Sequence, residues 1–393
     1  MEMNNRKTGT TVIVMGMMLG ASSLGQAQTP ETDLPGFYPS VELAYKHDDN
    51  IFRQENNEES DDIFSVSPDL VWRWFLGKHR LTAEYLGDYA TYDTNDDENY
   101  DDHFLSADLL LDLTPKFNVD LQANYNRGHE ARGSSGILPG NVSTKPNEWK
   151  ESRLFGQLTY GRRIANAQFQ LDLEAKDLEY TNNNQDFRDR DTDSVAGRFF
   201  YKIAPKTSAI LEAEHRDIDY TNSAIRDLDS TERYYRVGLR WEATYKTTGE
   251  LKVGRFEKDF DSAAEEDNDG VSVVGKVTWE PRTYSRFTFT ALRQPNETAT
   301  ADSSYTSELV SADWQHDFSS RVSLNANISD GTDDYTGTRE DDLFNAGLGL
   351  NYKMRRWLDL GVAYNYSERD SNAPTASFDD NIFMLRATLR LPR

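Results

Sequence analysis

Phe117-Asn-Val-Asp-Leu-Gln-Ala-Asn-Tyr125 alternates without a break. Phe117, Val119, Leu121, Ala123 and Tyr125 fall on one side, and Asn118, Asp120, Gln122 and Asn124 on the other. Successive side chains of a strand point to opposite faces, so this period of two makes a strand with one apolar and one polar face. Two later stretches read the same way. Val322, Leu324, Ala326 and Ile328 alternate with Ser323, Asn325 and Asn327, and Phe383, Leu385, Ala387, Leu389 and Leu391 alternate with Met384, Arg386, Thr388 and Arg390.

The pattern extends from residue 37 to the end of the chain. It predicts eighteen strands, centred near Leu43, Leu70, Tyr85, Leu109, Leu121, Leu158, Leu171, Phe199, Leu211, Val237, Leu251, Val273, Phe289, Ala312, Leu324, Leu348, Val362 and Leu385. Short turns alternate with long connections. The short ones fall at Gly77-Lys78, Pro115-Lys116, Arg162-Arg163, Pro205-Lys206, Tyr245-Lys246, Pro281-Arg282, Ser319-Ser320 and Arg355-Arg356. The long ones are rich in Asp, Asn and Glu; Asp330–Asp342 is typical. Such a meander keeps all its short turns at one end.

These features together predict an all-β fold, a transmembrane antiparallel up-and-down β-barrel of about 18 strands. A tilted strand crosses a bilayer in ~9–11 residues. Closure pairs every backbone N–H and C=O, which lipid demands. Transmembrane barrels have even strand numbers, short periplasmic turns and long external loops. Aromatic residues gather at segment ends: Trp72, Trp74, Tyr89, Tyr125, Tyr160, Tyr201, Trp241, Trp279, Trp314, Tyr352 and Tyr364. That suits girdles at the two interfaces.

The N-terminus reads as an export signal. Arg6 and Lys7 precede the apolar run from Val12 to Ala21, and Gly25-Gln26-Ala27 supplies a small-x-small cleavage site. The expected organisation is a signal peptide over 1–27, a short periplasmic segment over 28–36 and the barrel over 37–393. Cysteine is absent from the 393 residues, and 67 Asp+Glu outweigh 43 Lys+Arg for a net charge of -24. Disulfides and thiolate sites are excluded, and nucleic acid is excluded as a partner because phosphate would be repelled. A low hydrophobic fraction with high charge often marks disorder, but 12% aromatic residues points to an ordered chain with much polar surface.

The polar strand faces are expected to line the interior. The candidate lumen-lining residues are Arg73, Glu84, Asp108, Asp120, Gln122, Asn124, Arg153, Gln157, Asp172, Glu174, Arg198, Glu212, Arg236, Arg240, Lys276, Arg386 and Arg390. Inward aromatic candidates are few: Phe104, Phe155, Phe200 and Tyr234. No cofactor and no catalytic constellation is indicated. The six His are scattered, and no nucleophile elbow, phosphate loop or metal-ligating spacing appears. Glu265 to Gly270 echoes a calcium loop but carries Lys276 where the twelfth-position Glu belongs.

Tyr45-Lys-His-Asp-Asp-Asn-Ile-Phe-Arg53 is followed by Val66-Ser-Pro-Asp-Leu70, Gly77-Lys-His-Arg-Leu81 and Asn99-Tyr-Asp-Asp-His103. This order resembles the putative β-barrel porin 2 family of Gram-negative outer-membrane proteins. The resemblance is clearest over about residues 41–131. It implies a location in the bacterial outer membrane, in contact with its lipid. It also implies association with exopolysaccharide or capsule loci, and hence a passive conduit for polysaccharide. The alternatives are a general or solute-specific diffusion porin and a surface structural or adhesion barrel with a plugged lumen. The basic short turns, among them Lys78, Arg162 and Arg163, offer a face to a periplasmic export component.

Overall fold

The computed structural model describes residues 34–135, 145–162, 165–222, 226–244 and 246–391. The expected signal peptide lies outside them. Eighteen strands run through the described residues. The first six are β1 (Gly36–Asp48), β2 (Asp61–Leu76), β3 (His79–Tyr92), β4 (Tyr100–Thr114), β5 (Phe117–His129) and β6 (Glu148–Tyr160). Then come β7 (Ala167–Tyr180), β8 (Arg190–Ala204), β9 (Thr207–Tyr220), β10 (Ser230–Thr244), β11 (Thr247–Phe260) and β12 (Asn268–Arg282). The last six are β13 (Ser285–Asn296), β14 (Tyr305–Asp317), β15 (Val322–Tyr335), β16 (Glu340–Arg355), β17 (Leu358–Ser371) and β18 (Phe378–Arg390). Every predicted strand centre lies in the corresponding strand.

Each strand pairs antiparallel with its sequence neighbours, and β1 closes the sheet against β18. Among the described residues no helix is long and apolar enough to cross a membrane, so crossing falls to the strands. The expectation of about eighteen strands in a closed up-and-down barrel is met.

Side-chain phase is continuous around the whole barrel. Leu109 faces Leu121 across β4 and β5, while Asp108 faces Gln122. Leu211 faces Val237 across β9 and β10, while Glu212 faces Arg236. Apolar side chains of the first kind are exposed, as at Leu121 (42%), Leu211 and Val237. Polar partners of the second kind turn inward, and many are buried. Exposed Leu is stable here because the surrounding medium is hydrocarbon. Trp72, Trp74, Tyr160, Tyr201, Trp279 and Tyr352 lie outward near the short turns, and Tyr89, Tyr125 and Tyr364 lie outward towards the long connections.

Two local expectations need correction. The long connections are shorter than the acidic stretches suggested. Between β15 and β16 only residues 336–339 lie outside strands, not Asp330–Asp342. The strands continue above the lipid, where both faces meet water and the apolar alternation stops although the hydrogen-bond ladder does not. Two tight turns also sit one or two residues later than expected. Register slips between Trp279 and Arg282 and between Lys353 and Arg355. β12 and β16 run on past these irregularities, and the turns fall at 283–284 and 356–357.

Candidate functional site: the barrel interior and its mouth

Cross-strand register sets the chemistry of the interior. Arg198 on β8, Glu212 on β9 and Arg236 on β10 are direct neighbours. Glu212 accepts from Arg198 Nε at 2.5 Å, from Arg236 Nη1 at 2.7 Å and from Lys252 Nζ at 2.7 Å. Arg198 also pairs with Asp172 on β7 at 2.5 Å, and Asp172 accepts from Gln157 on β6 at 3.0 Å. A belt of alternating charge thus runs at one height from β6 to β11.

A second layer lies nearer the long connections. Glu214 accepts from Arg216 and Arg236, each at 2.8 Å. Glu232 accepts from Arg216 at 3.0 Å, from Tyr234 Oη at 2.7 Å and from Lys258 Nζ at 3.1 Å. Arg153 on β6, whose register partner is Asn124, donates from Nε to Glu174 on β7 at 2.9 Å. On the side of the short turns, Arg240 pairs with Glu250 at 2.8 Å. Burying an ion without a partner costs several kcal/mol, so the lattice survives because each of its carboxylates pairs with at least one guanidinium.

Aromatic rings fill the gaps. Arg236 lies 4.1 Å from the ring centre of Tyr234, Arg240 3.9 Å from Phe200 and Arg153 5.0 Å from Phe155. A guanidinium over a ring is attracted by its quadrupole and keeps its edge free for carboxylates. The four inward aromatics expected from sequence are joined by Phe256, fully buried, and by a tier of inward tyrosines below the long connections: Tyr92, Tyr100, Tyr180, Tyr220, Tyr305 and Tyr335. Those tyrosines sit at strand ends where the alternation lapses, so their phase could be read only by extending parity from the strand centres. Lys258, Arg216 and Glu232 escape the sequence reading for the same reason, whereas Lys252 lies between outward Leu251 and Val253, where its inward phase is legible in the alternation. Upper β11 carries charge on both faces, with Arg255 and Glu257 outward and Lys258 inward.

All seventeen candidate residues fall on this same face of the closed sheet by register. The lattice gathers Arg153, Gln157, Asp172, Glu174, Arg198, Glu212, Arg236 and Arg240. The rest stand apart from it. Arg73 lies 5.6 Å from the ring centre of Tyr38, Arg386 donates to Asn351 at 2.5 Å, and Arg390 pairs with Asp359. Glu84, Asp108, Asp120, Gln122 and Asn124 cover the β3–β5 wall, and Lys276 looks towards Asp313.

The mouth is crossed by the start of the connection between β5 and β6. Glu130 accepts from Arg188 Nη2 at 2.7 Å and from Tyr180 Oη at 2.9 Å. Arg132 binds Glu98 with Nε at 3.0 Å and Nη2 at 2.5 Å. Gly133 then reaches β17, where its carbonyl oxygen accepts from Arg369 Nη1 at 3.0 Å. Ser135 lies beside Asp333 of β15. β5 and β17 are six strands apart in the circle of eighteen, and β15 is nearly opposite β5. Burial pushes the Glu130 carboxyl up, but the Arg188 guanidinium and the bonds from Asn147 and Tyr180 outweigh it and hold it below its ordinary value. A second connection folds in beside it. Glu297 meets Lys258 and accepts from Tyr220 Oη at 2.5 Å, and Arg226 donates to the carbonyls of Thr300 and Asp302.

The geometry is that of a barrel with a polar interior, one wall of it a buried ion lattice, and a mouth narrowed by inward connections. The model of the Putative beta-barrel porin 2 family matches residues 36–391. Solved structures with a similar fold include Pseudomonas aeruginosa OpdK with vanillate (10% identity, TM-score 0.49, covering 90% of this chain and 99% of that one). Acinetobacter baumannii OccAB3 (12%, 0.47, 90% and 99%) and P. aeruginosa OccK9, also called OpdG (14%, 0.49, 90% and 98%), are similar in the same sense. No curated protein matches. The chain belongs to the Putative beta-barrel porin 2 family and is a porin-like β-barrel of the bacterial outer membrane.

Proposed function

We propose that this protein is a passive diffusion porin for small hydrophilic solutes, with the seventeen inward residues lining its path and the segment over 1–27 removed on export. The observation that carries this reading is the passage of Glu130–Ser135 across the mouth, anchored at Arg188, Glu98 and Arg369. A polymer needs an unbroken bore along which it slides on weak contacts. A mouth narrowed by buried ion pairs favours small solutes that pass beside the crossing segment. The half-exposed wall of Asp, Gln, Asn and Arg on β2–β5 and β18 supports the same reading, since it offers water and solute donors and acceptors at many points.

The test is reconstitution. Purified protein in liposomes should admit monosaccharides and disaccharides and exclude long oligosaccharides. In cells, deletion should slow uptake of small solutes and leave surface polysaccharide normal. Polysaccharide trapped in the periplasm of the deletion strain, with solute uptake unchanged, would replace this reading by the polysaccharide conduit. Lost adhesion with both transport measures normal would replace it by the plugged surface barrel.

A further inference from the structure

The wall from β15 to β17 differs in kind from the ion lattice. No inward side chain on it is charged over residues 323–331, 343–351 and 361–367. Register sets Asn327, Gly347 and Asn365 in one row and Asn325, Gly349 and Ala363 in the row below. Asn345 stands one row above, between Ser329 and Ser367. Leu348 and Tyr364, next to these residues along their strands, are exposed on the outer side, which fixes the phase.

This wall is a shelf with an open floor. A Cβ built on Gly349 would find nothing nearer than 3.7 Å, where Ala363 Cβ stands. One row lower the opening ends, because a Cβ at Gly361 would meet Arg386 Nε at 2.5 Å. The rim of the shelf is unsatisfied. Asn325, Asn327, Asn345 and Asn365 are half-buried and make no side-chain hydrogen bond among the described residues. Asn327 Oδ1 and Asn365 Nδ2, an acceptor and a donor on the two flanks of Gly347, are closed to bulk water and have no partner. Across the lumen, by contrast, Glu212 and Glu232 are held by guanidinium groups. Unmet polar groups of this kind are costly until water or a solute serves them.

We propose, resting on the diffusion-porin reading above, that these four amides and the floor of Gly347 and Gly349 form a subsite for a neutral, hydroxyl-rich solute. An amide offers N–H donors and a carbonyl acceptor, and each hydroxyl of a polyol is both donor and acceptor. The asparagine χ2 rotation is soft, so Asn327 and Asn365 turn to meet a solute at little cost. An ion leaving water for this wall meets no opposite charge on it, and burying an ion unpaired is expensive. Asp313 borders the shelf on β14 as the register neighbour of Asn327, with Lys276 near enough to offset its charge. The shelf lies on β15 and β17 below Asp333 and Arg369, where the crossing segment is fastened, so a solute that passes the segment meets the amides next.

The test is single-channel recording of the refolded full barrel in planar bilayers, with sorbitol as the probe. Sorbitol should lower the ion current saturably, beyond its effect on bulk conductivity. Gluconate and glucosamine, anionic and cationic molecules of similar size, should not. Asn327→Leu together with Asn365→Leu should raise the half-saturating sorbitol concentration about ten-fold or more, since two hydrogen-bonding groups are lost. If that variant does not fold, Gly349→Val, whose Cβ the open floor admits, should weaken the response by filling the floor. A conducting parent with no saturable response to sorbitol, an equal response to gluconate or glucosamine, or unchanged half-saturation in a folded variant would overturn the subsite and leave the diffusion-porin reading standing. A barrel that passes no ions would overturn that reading itself, and the subsite with it.

Discussion

Arg369 of β17 donates from Nη1 to the carbonyl oxygen of Gly133 at 3.0 Å, although 236 positions separate them in the chain. The same guanidinium donates from Nε to the Ala376 carbonyl at 2.6 Å and lies 4.8 Å from the ring centre of Phe378. One buried arginine therefore fastens the crossing segment to the far wall.

Gly133 is the point at which that segment is most sensitive. Its φ is +72°, and a Cβ there would stand 2.7 Å from Arg53 Cγ and 2.9 Å from Phe378 Cε1. Left-handed backbone costs a non-glycine residue of order 1–3 kcal/mol, and the clash adds to this. Gly133→Val should release the segment from β17 while the barrel still folds. Single-channel conductance in planar bilayers should rise above that of the parent. Unchanged conductance would show that the segment does not limit the path.

The ion lattice makes a prediction about stability. Glu212→Ala leaves Arg198, Arg236 and Lys252 buried around a missing carboxylate, which should cost ~3–5 kcal/mol. The midpoint of urea unfolding in lipid measures it. Replacing Glu212 and Arg236 together by Leu and Met should recover part of the loss, because the cost lies in unpaired charge.

Acid should loosen the mouth before it unfolds the barrel. The folded Glu130 carboxyl lies below its ordinary value, so its pairing with Arg188 contributes stability above the unfolded carboxylate range, ~4.3. That contribution is lost as pH falls through the lower, folded value. Proteolysis of the β5–β6 connection by an acid-active protease should quicken below about pH 4 while the strands stay protected. Glu130→Gln should show the quickened cleavage already at neutral pH.

Phase within the sheet is open to a direct check. Leu121 is outward, and Arg there should cost ~2–4 kcal/mol near the bilayer midplane. Folding of Leu121→Arg in bilayers with parental stability would invert the inside and outside of β5.

Orientation is tested without background, since the chain has no cysteine. Asn184→Cys, in the exposed β7–β8 connection, should react with an impermeant maleimide on intact cells. Arg356→Cys, in the β16–β17 turn, should react only after the outer membrane is opened.

The sequence alone determined the strand number, the order of short and long connections, the placement of the aromatic girdles and the inward phase of residues such as Glu212 and Asn124. These follow from a period of two that lipid imposes locally, residue by residue, on each crossing. Tertiary structure decided the rest. Whether Arg198 meets Asp172, Glu212 or both depends on the register of three strands, which no one strand carries. The inward turn of Lys258 and Tyr220 lies above the lipid, where water on the outside removes the apolar signal. The reach of Gly133 to Arg369, and of Asp380 to Asp48, exists only because the sheet closes and brings the last strands beside the first.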